Sequence, residues 1–128
     1  MRFTVTNADT QNGMTTVTGE TPVGMLAGVW HDRNAPVPGR AYQIELEFGT
    51  VDREAVTAAQ TEMAEIRVSG DTVVFTAECE DYDEVYYLRF SADGLSMLDI
   101  ANDHGTFSPG MYLTFSRKVS EVGIYPYL

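Results

Sequence analysis

Apolar and polar residues alternate along much of this chain with a period of two. The clearest run is Tyr42, Ile44, Leu46 and Phe48 against Gln43, Glu45 and Glu47, the signature of a strand that buries one face and wets the other. Phe3 and Val5 alternate with Thr4 and Thr6, and Asn12-Gly13 supplies the positive φ angles of a tight reversal into Met14 to Glu20, which predicts a hairpin. Gly24 to Trp30 is a further apolar run, while Pro36, Pro38 and Gly39 make His31 to Arg40 a surface loop. Ser69-Gly70-Asp71 turns Ile66 and Val68 back into Val73, Phe75, Ala77 and Cys79, and Ala92-Asp93-Gly94 turns Val85 to Phe90 back into Leu95 to Ile100. Asn102 to Gly105 reads as a turn, Met111, Leu113 and Phe115 as a strand, and Val122 to Tyr127 as the closing strand. One stretch breaks the rule: around 52–64, Val56, Ala59 and Met63 fall at helical spacing behind Thr50 or Asp52 as caps, which predicts a short helix. Strands recurring about every ten residues define a mostly β fold, an antiparallel barrel or sandwich.

The 128 residues and 44% hydrophobic content suit one β-rich domain over 1–128. Met1 to Val5 lacks the basic patch and apolar run of a secretory signal, and no stretch is apolar over the length of a membrane span, so a cytoplasmic protein is expected. Cys79 is the single cysteine and reads as a small buried apolar residue. Charge changes the picture more. The net charge is -11, and the excess lies between Ala41 and Asp103, where fifteen acids face only Arg53, Arg67 and Arg89. That balance argues against nucleic acid and anionic membrane surfaces and favours a basic protein partner.

Catalytic and metal chemistry finds little footing. His31 sits at a loop edge beside Asp32, and neighbours on an extended chain point to opposite faces, so the pair forms no relay. Asp99, Asp103 and His104 match no established ligand spacing, and Glu78 to Glu84 lacks the central glycine and distal glutamate of a calcium loop. No metal or cofactor is expected. Glu45 and Glu47 lie about 6 to 7 Å apart on one strand face, a separation that paired-carboxylate glycosidases share, though alternating glutamates are ordinary on a wet face. What stands out is the segment Glu78, Glu80, Asp81, Tyr82, Asp83 and Glu84, with Tyr86 and Tyr87 following. Like charges packed so densely repel, which a Lys- or Arg-bearing partner relieves, and tyrosines suit a contact hot spot.

Pro38-Gly39 with Tyr42 to Leu46, Tyr87-Leu88-Arg89-Phe90, Gly110 and Ile124-Tyr125-Pro126-Tyr127 resemble, over residues 38–128, small bacterial proteins with an OB-like or related β-barrel. Some of these look like immunity partners of polymorphic or contact-dependent toxins. Phe3, Val5, Val17, Gly19 and Gly24 are also similar in pattern to the second β-barrel domain of translation factors. The immunity resemblance implies a cytoplasmic inhibitor of one cognate toxin, many of which are basic nucleases. It carries over no functional residue, because such families diverge at their contact surfaces. The leading expectation is therefore an acidic binding protein that neutralises a basic partner through Glu78 to Glu84 and through Glu45 and Glu47. Two others stand beside it. Gly28-Val29-Trp30 looks like the opening strand of a lipocalin-like barrel that binds a small molecule, and Glu45, Glu47, Asp99 or His104 would serve an enzyme, the least favoured class.

Overall fold

The structure, a computed structural model, describes residues 1–127. Twelve strands form among them: β1 (Arg2–Gln11), β2 (Met14–Thr21), β3 (Gly24–Trp30), β4 (Ala41–Glu47), β5 (Thr50–Asp52), β6 (Thr57–Ala58), β7 (Glu65–Ser69), β8 (Thr72–Asp83), β9 (Val85–Ser91), β10 (Gly94–Ala101), β11 (Tyr112–Lys118) and β12 (Gly123–Tyr127). β1 pairs with β2, β2 with β3, β3 with β12, β12 with β4, and β4 with β1. This ring is a closed five-stranded barrel in which only β3 and β12 run parallel, an OB-like order that the final strand completes. The barrel expected from the alternation is present.

The strands between β4 and β12 are an insertion that extends the barrel's sheet, joined to it where β7 pairs in parallel with β3 at Gly24 and Ile66. β7, β8, β9 and β10 follow one another antiparallel, β11 runs along the other edge of β8, and β5 joins β10 in parallel. Two turns follow directly from composition. Asn12 and Gly13 adopt φ of 53° and 77°, the mirror-image turn that matches strand twist, and Gly70 at φ 61° opens the two-residue turn between β7 and β8. Gly24 has a different task. It lies at φ 130° with a notional Cβ only 2.0 Å from the Ile66 carbonyl oxygen, so only a residue without a side chain lets β3 approach β7 there.

The helix expected around 52–64 is absent. Arg53–Ala55 makes one 3-10 turn, Asp52 caps nothing with its side chain, and Thr57–Ala58 bridges to β11 instead. The reason is in the packing: Val56 is buried whereas Met63 is 69% exposed, so the residues at helical spacing share no common face. Val56 sinks into the core as a lone anchor, and strand pairing outcompetes the helix nucleus.

Alternating residues of the five barrel strands, among them Phe3, Val5, Val17, Leu26, Ile44 and Ile124, are buried. Where β4 leaves the barrel, Phe48 enters a cluster with Phe75, Phe90 and Phe115, at centroid distances of 4.8, 6.3 and 5.0 Å. These rings join the barrel to the insertion. Replacing Phe48 with alanine therefore removes a fully packed ring at the junction and is expected to cost about 3–5 kcal/mol, read as a shift in urea unfolding. A loss under about 1 kcal/mol would show that the junction is not held there.

Candidate functional site

The acidic segment is strand rather than loop. β8 runs on through Asp83, and the chain reverses at Glu84, whose φ of 66° makes the tip a very tight turn with Asp83 opposite Val85. A β-bulge between Cys79 and Asp81 shifts the register at Glu80. A bulge re-aims side chains, and here Glu80, Asp81 and Asp83 together line one shallow hollow of about 420 Å3 with Tyr87 and Leu95. Glu78 is half-buried opposite Arg89, and Arg89 reaches Glu80 at 2.8 Å. Asp81 and Asp83 have no cation within ion-pair distance among the described residues.

Tyr82 points the other way. Its ring packs 4.6 Å from that of Tyr86 and beside Gly105, so it braces the turn beneath the acids rather than joining them. The outward tyrosine is Tyr87, directly opposite Asp81 on one side and Met97 on the other.

Glu45 and Glu47 are exposed on β4, as the alternation requires, and they line a second hollow of about 320 Å3 with Leu46, Met97 and Tyr125. Met97 thus stands between the two acidic groups. Asp81, Tyr87 and Met97 are successive cross-strand partners, which spans about 10 Å over two strand spacings. Beyond Met97 come Glu45 and Glu47, with Tyr125 opposite Glu45 on β12. Segments distant in sequence therefore share one outer face.

Leu95, Met97 and Tyr125, exposed by 44%, 60% and 37%, were not among the expected site residues. A signal for them existed: Leu98 and Ile100 fix the inward phase of β10, so Leu95 and Met97 must face out while Ser96 is buried. Tyr125 also stacks on His31, centroids 4.5 Å apart and planes within 8°. Gly123 makes room beneath, since a Cβ there would lie 2.9 Å from the Tyr125 ring. Burial, then the Glu47 charge and hydrogen bond, push the Tyr125 hydroxyl up from its ordinary value, which keeps it a neutral donor.

The residues weighed for catalysis do not converge. Asp99 accepts a hydrogen bond from Thr50 Oγ1 at 3.2 Å, and His104 is exposed on its turn. Among the described residues no three His, Cys, Asp or Glu side chains gather as a metal site. Cys79 is fully buried, and burial followed by the Asp81 charge raises its thiol, so it stays protonated. The inward residues of the barrel strands and the phenylalanine cluster belong to one buried core. A separate open groove of about 710 Å3, with Asp32, Arg40, Tyr42 and Tyr127 on its walls, shares no residue with the acidic face.

Asp103 turns out to be structural. Its carboxylate has no exposed surface, and it accepts hydrogen bonds from the Tyr86 hydroxyl and the Gly105 amide, with Arg53 Nε 3.3 Å away. The Phe107 amide donates to the Tyr86 oxygen at 3.2 Å, and the Arg53 guanidinium lies over the Phe107 ring at 4.8 Å. Burial pushes the Asp103 carboxyl up, but hydrogen bonds from the Thr106 side chain, Tyr86 and the backbone of Gly105 and Thr106 outweigh it and hold the group below its ordinary value. The Tyr86 hydroxyl is pushed up to about 12, by burial first and by Asp103 next.

No protein family, curated protein or solved structure matches this chain. No helix among the described residues is long and apolar enough to cross a membrane.

The Asp103 latch gives a pH test. Its folded value lies below the unfolded one, so its stabilisation is complete above the ordinary value of 3.8 and is lost as pH falls through the folded value. The stability gap between wild type and Asp103→Asn is expected to hold steady at about pH 5–7 and to narrow below about pH 4 in chemical unfolding. A gap unchanged down to about pH 2 contradicts the assignment. Tyr86→Phe should lose about 1.5–3 kcal/mol at neutral pH, the worth of a hydrogen bond to a charged group.

Proposed function

We propose that this chain is an acidic cytoplasmic binding protein that neutralises a basic protein, in the manner of an immunity protein inhibiting a toxin nuclease. One observation carries the proposal. Glu45 and Glu47 on one side and Asp81 and Asp83 on the other flank Met97 on the same outer face, and none of the four has a cation at ion-pair distance among the described residues. Four other acids are matched, Glu65 by Arg67, Glu80 by Arg89, Asp103 by Arg53 and Glu121 by Arg117. Others, such as Asp9, Glu20, Asp32 and Glu62, also have no cation at ion-pair distance among the described residues. What sets Glu45, Glu47, Asp81 and Asp83 apart is their grouping around exposed apolar side chains on a face built of strands, which needs no rearrangement to receive a partner. Such a face steers a cationic protein into encounter and raises its on-rate. Occluding the nucleic-acid surface of a basic nuclease would follow from the same complementarity, because that surface is itself selected to hold negative charge.

The resemblance to immunity proteins supplies the biological class, and the charge distribution supplies the mechanism. The test uses a basic protein that co-purifies at low salt. Its association rate should fall at least about tenfold between 20 and 200 mM salt, and the variant Glu45→Gln/Glu47→Gln/Asp81→Asn/Asp83→Asn should flatten that dependence while keeping the wild-type melting temperature. An on-rate indifferent to salt in the wild type would contradict electrostatic capture.

A further inference from the structure

The outward apolar side chains of β9 and β10 form a ridge that walls both acidic hollows, Tyr87 and Leu95 in one and Met97 in the other, and we infer that this ridge is the docking seat for an amphipathic basic segment of the partner. The inference deepens the binding-protein reading and rests on it. Tyr87, Leu95 and Met97 adjoin on β9 and β10, and Tyr125, opposite Glu45 on β12, shares the hollow of Met97. Leu95 and Met97 are exposed while Ser96 between them is buried, the inverse of what a solvated strand face presents. Apolar side chains exposed together and rimmed by polar groups mark contact surfaces.

Charge complementarity selects the occupant. Glu45 and Glu47 close one flank of the ridge and Asp81 and Asp83 the other, so a segment lying across the strands meets carboxylates on both sides. Its chemistry is thereby set: an apolar side chain over Leu95 and Met97, with Lys or Arg to either side. Tyr125 shapes the β4 flank. One face of its ring is covered by His31 at 4.5 Å, and the residue also lines the hollow that holds Glu45, Glu47 and Met97. A planar guanidinium extends such a stack and meets carboxylates through a fixed fork of donors, so Arg suits this flank better than Lys. A second copy of the chain is the poorer occupant, since it would bring the same carboxylates against these.

The probes are two synthetic helical peptides of equal length and equal Arg and Lys content, one with a leucine stripe and one with serine in its place, titrated by calorimetry at 50 mM salt. The wild-type protein should bind the leucine peptide at least tenfold more tightly, and Leu95→Ser/Met97→Ser should abolish that preference while leaving the serine peptide's affinity unchanged. Equal affinity of the wild type for both peptides overturns the ridge but leaves the electrostatic reading standing. Binding of neither peptide overturns both. Replacing the arginines of the leucine peptide with lysine should weaken binding to wild type more than to Tyr125→Ala. Light scattering of the free protein that shows a dimer, lost in Leu95→Ser/Met97→Ser, would assign the ridge to a second copy and also overturn the proposal. Both substitutions lie on the surface, and unchanged thermal unfolding confirms that they report on binding.

Discussion

The arrangement of this protein depends on the contact that Phe48 makes as the chain leaves the barrel. A five-stranded ring closed by β12 is complete without the segment between β4 and β12, and that long insertion needs something to hold it at a fixed angle. Phe48, 1% exposed and edge-on to Phe75 and Phe115, provides it together with the pairing of β7 on β3. Aromatic rings in edge-to-face contact bury a large area and accept few alternative geometries. Because Glu45 and Glu47 lie directly before Phe48 on β4, the same contact that docks the insertion sets these glutamates beside Met97 of β10.

The second determinant is local. On β10, Leu98 and Ile100 must enter the core, and a strand's period of two then leaves Leu95 and Met97 no choice but to face water. On β8, the bulge at Glu80 has the complementary effect, gathering three carboxylates onto the outer face while Cys79 stays in the core and Tyr82 turns to support Tyr86. The price of exposing apolar side chains among uncompensated charges is hard to account for on grounds of stability alone. As a contact surface the combination is coherent, since exposed apolar groups supply desolvation and the flanking acids supply orientation and encounter rate.

Much of the fold was legible in the residues. Strong alternation at Tyr42 to Phe48, and turn pairs such as Asn12-Gly13 and Gly70-Asp71, placed the strands and hairpins because each is decided by neighbours a few residues away. The segment after Asp52 misled for the opposite reason: its helical spacing is a local feature, but Val56 and Thr57–Ala58 are claimed by partners far along the chain. The acidic groups were visible as composition, whereas their meeting on one face was not. It depends on β5 joining β10 and on the Phe48 junction, neither of which leaves a trace within a short window. The structural part of Asp103 was equally out of reach in a segment read only as a turn, because only the folded chain brings Tyr86 and Arg53 to it.

Carboxylate footprinting in the presence of a basic protein that the chain is proposed to capture addresses the central claim most directly, since the label reports each acid separately by mass spectrometry. If one continuous face receives the partner, Glu45, Glu47, Asp81 and Asp83 lose labelling together along a single binding curve, while Asp9 on the β1–β2 hairpin and Asp32 in the 31–40 loop keep theirs. Protection confined to one of the two acidic groups, or spread equally to Asp9 and Asp32, would contradict the account.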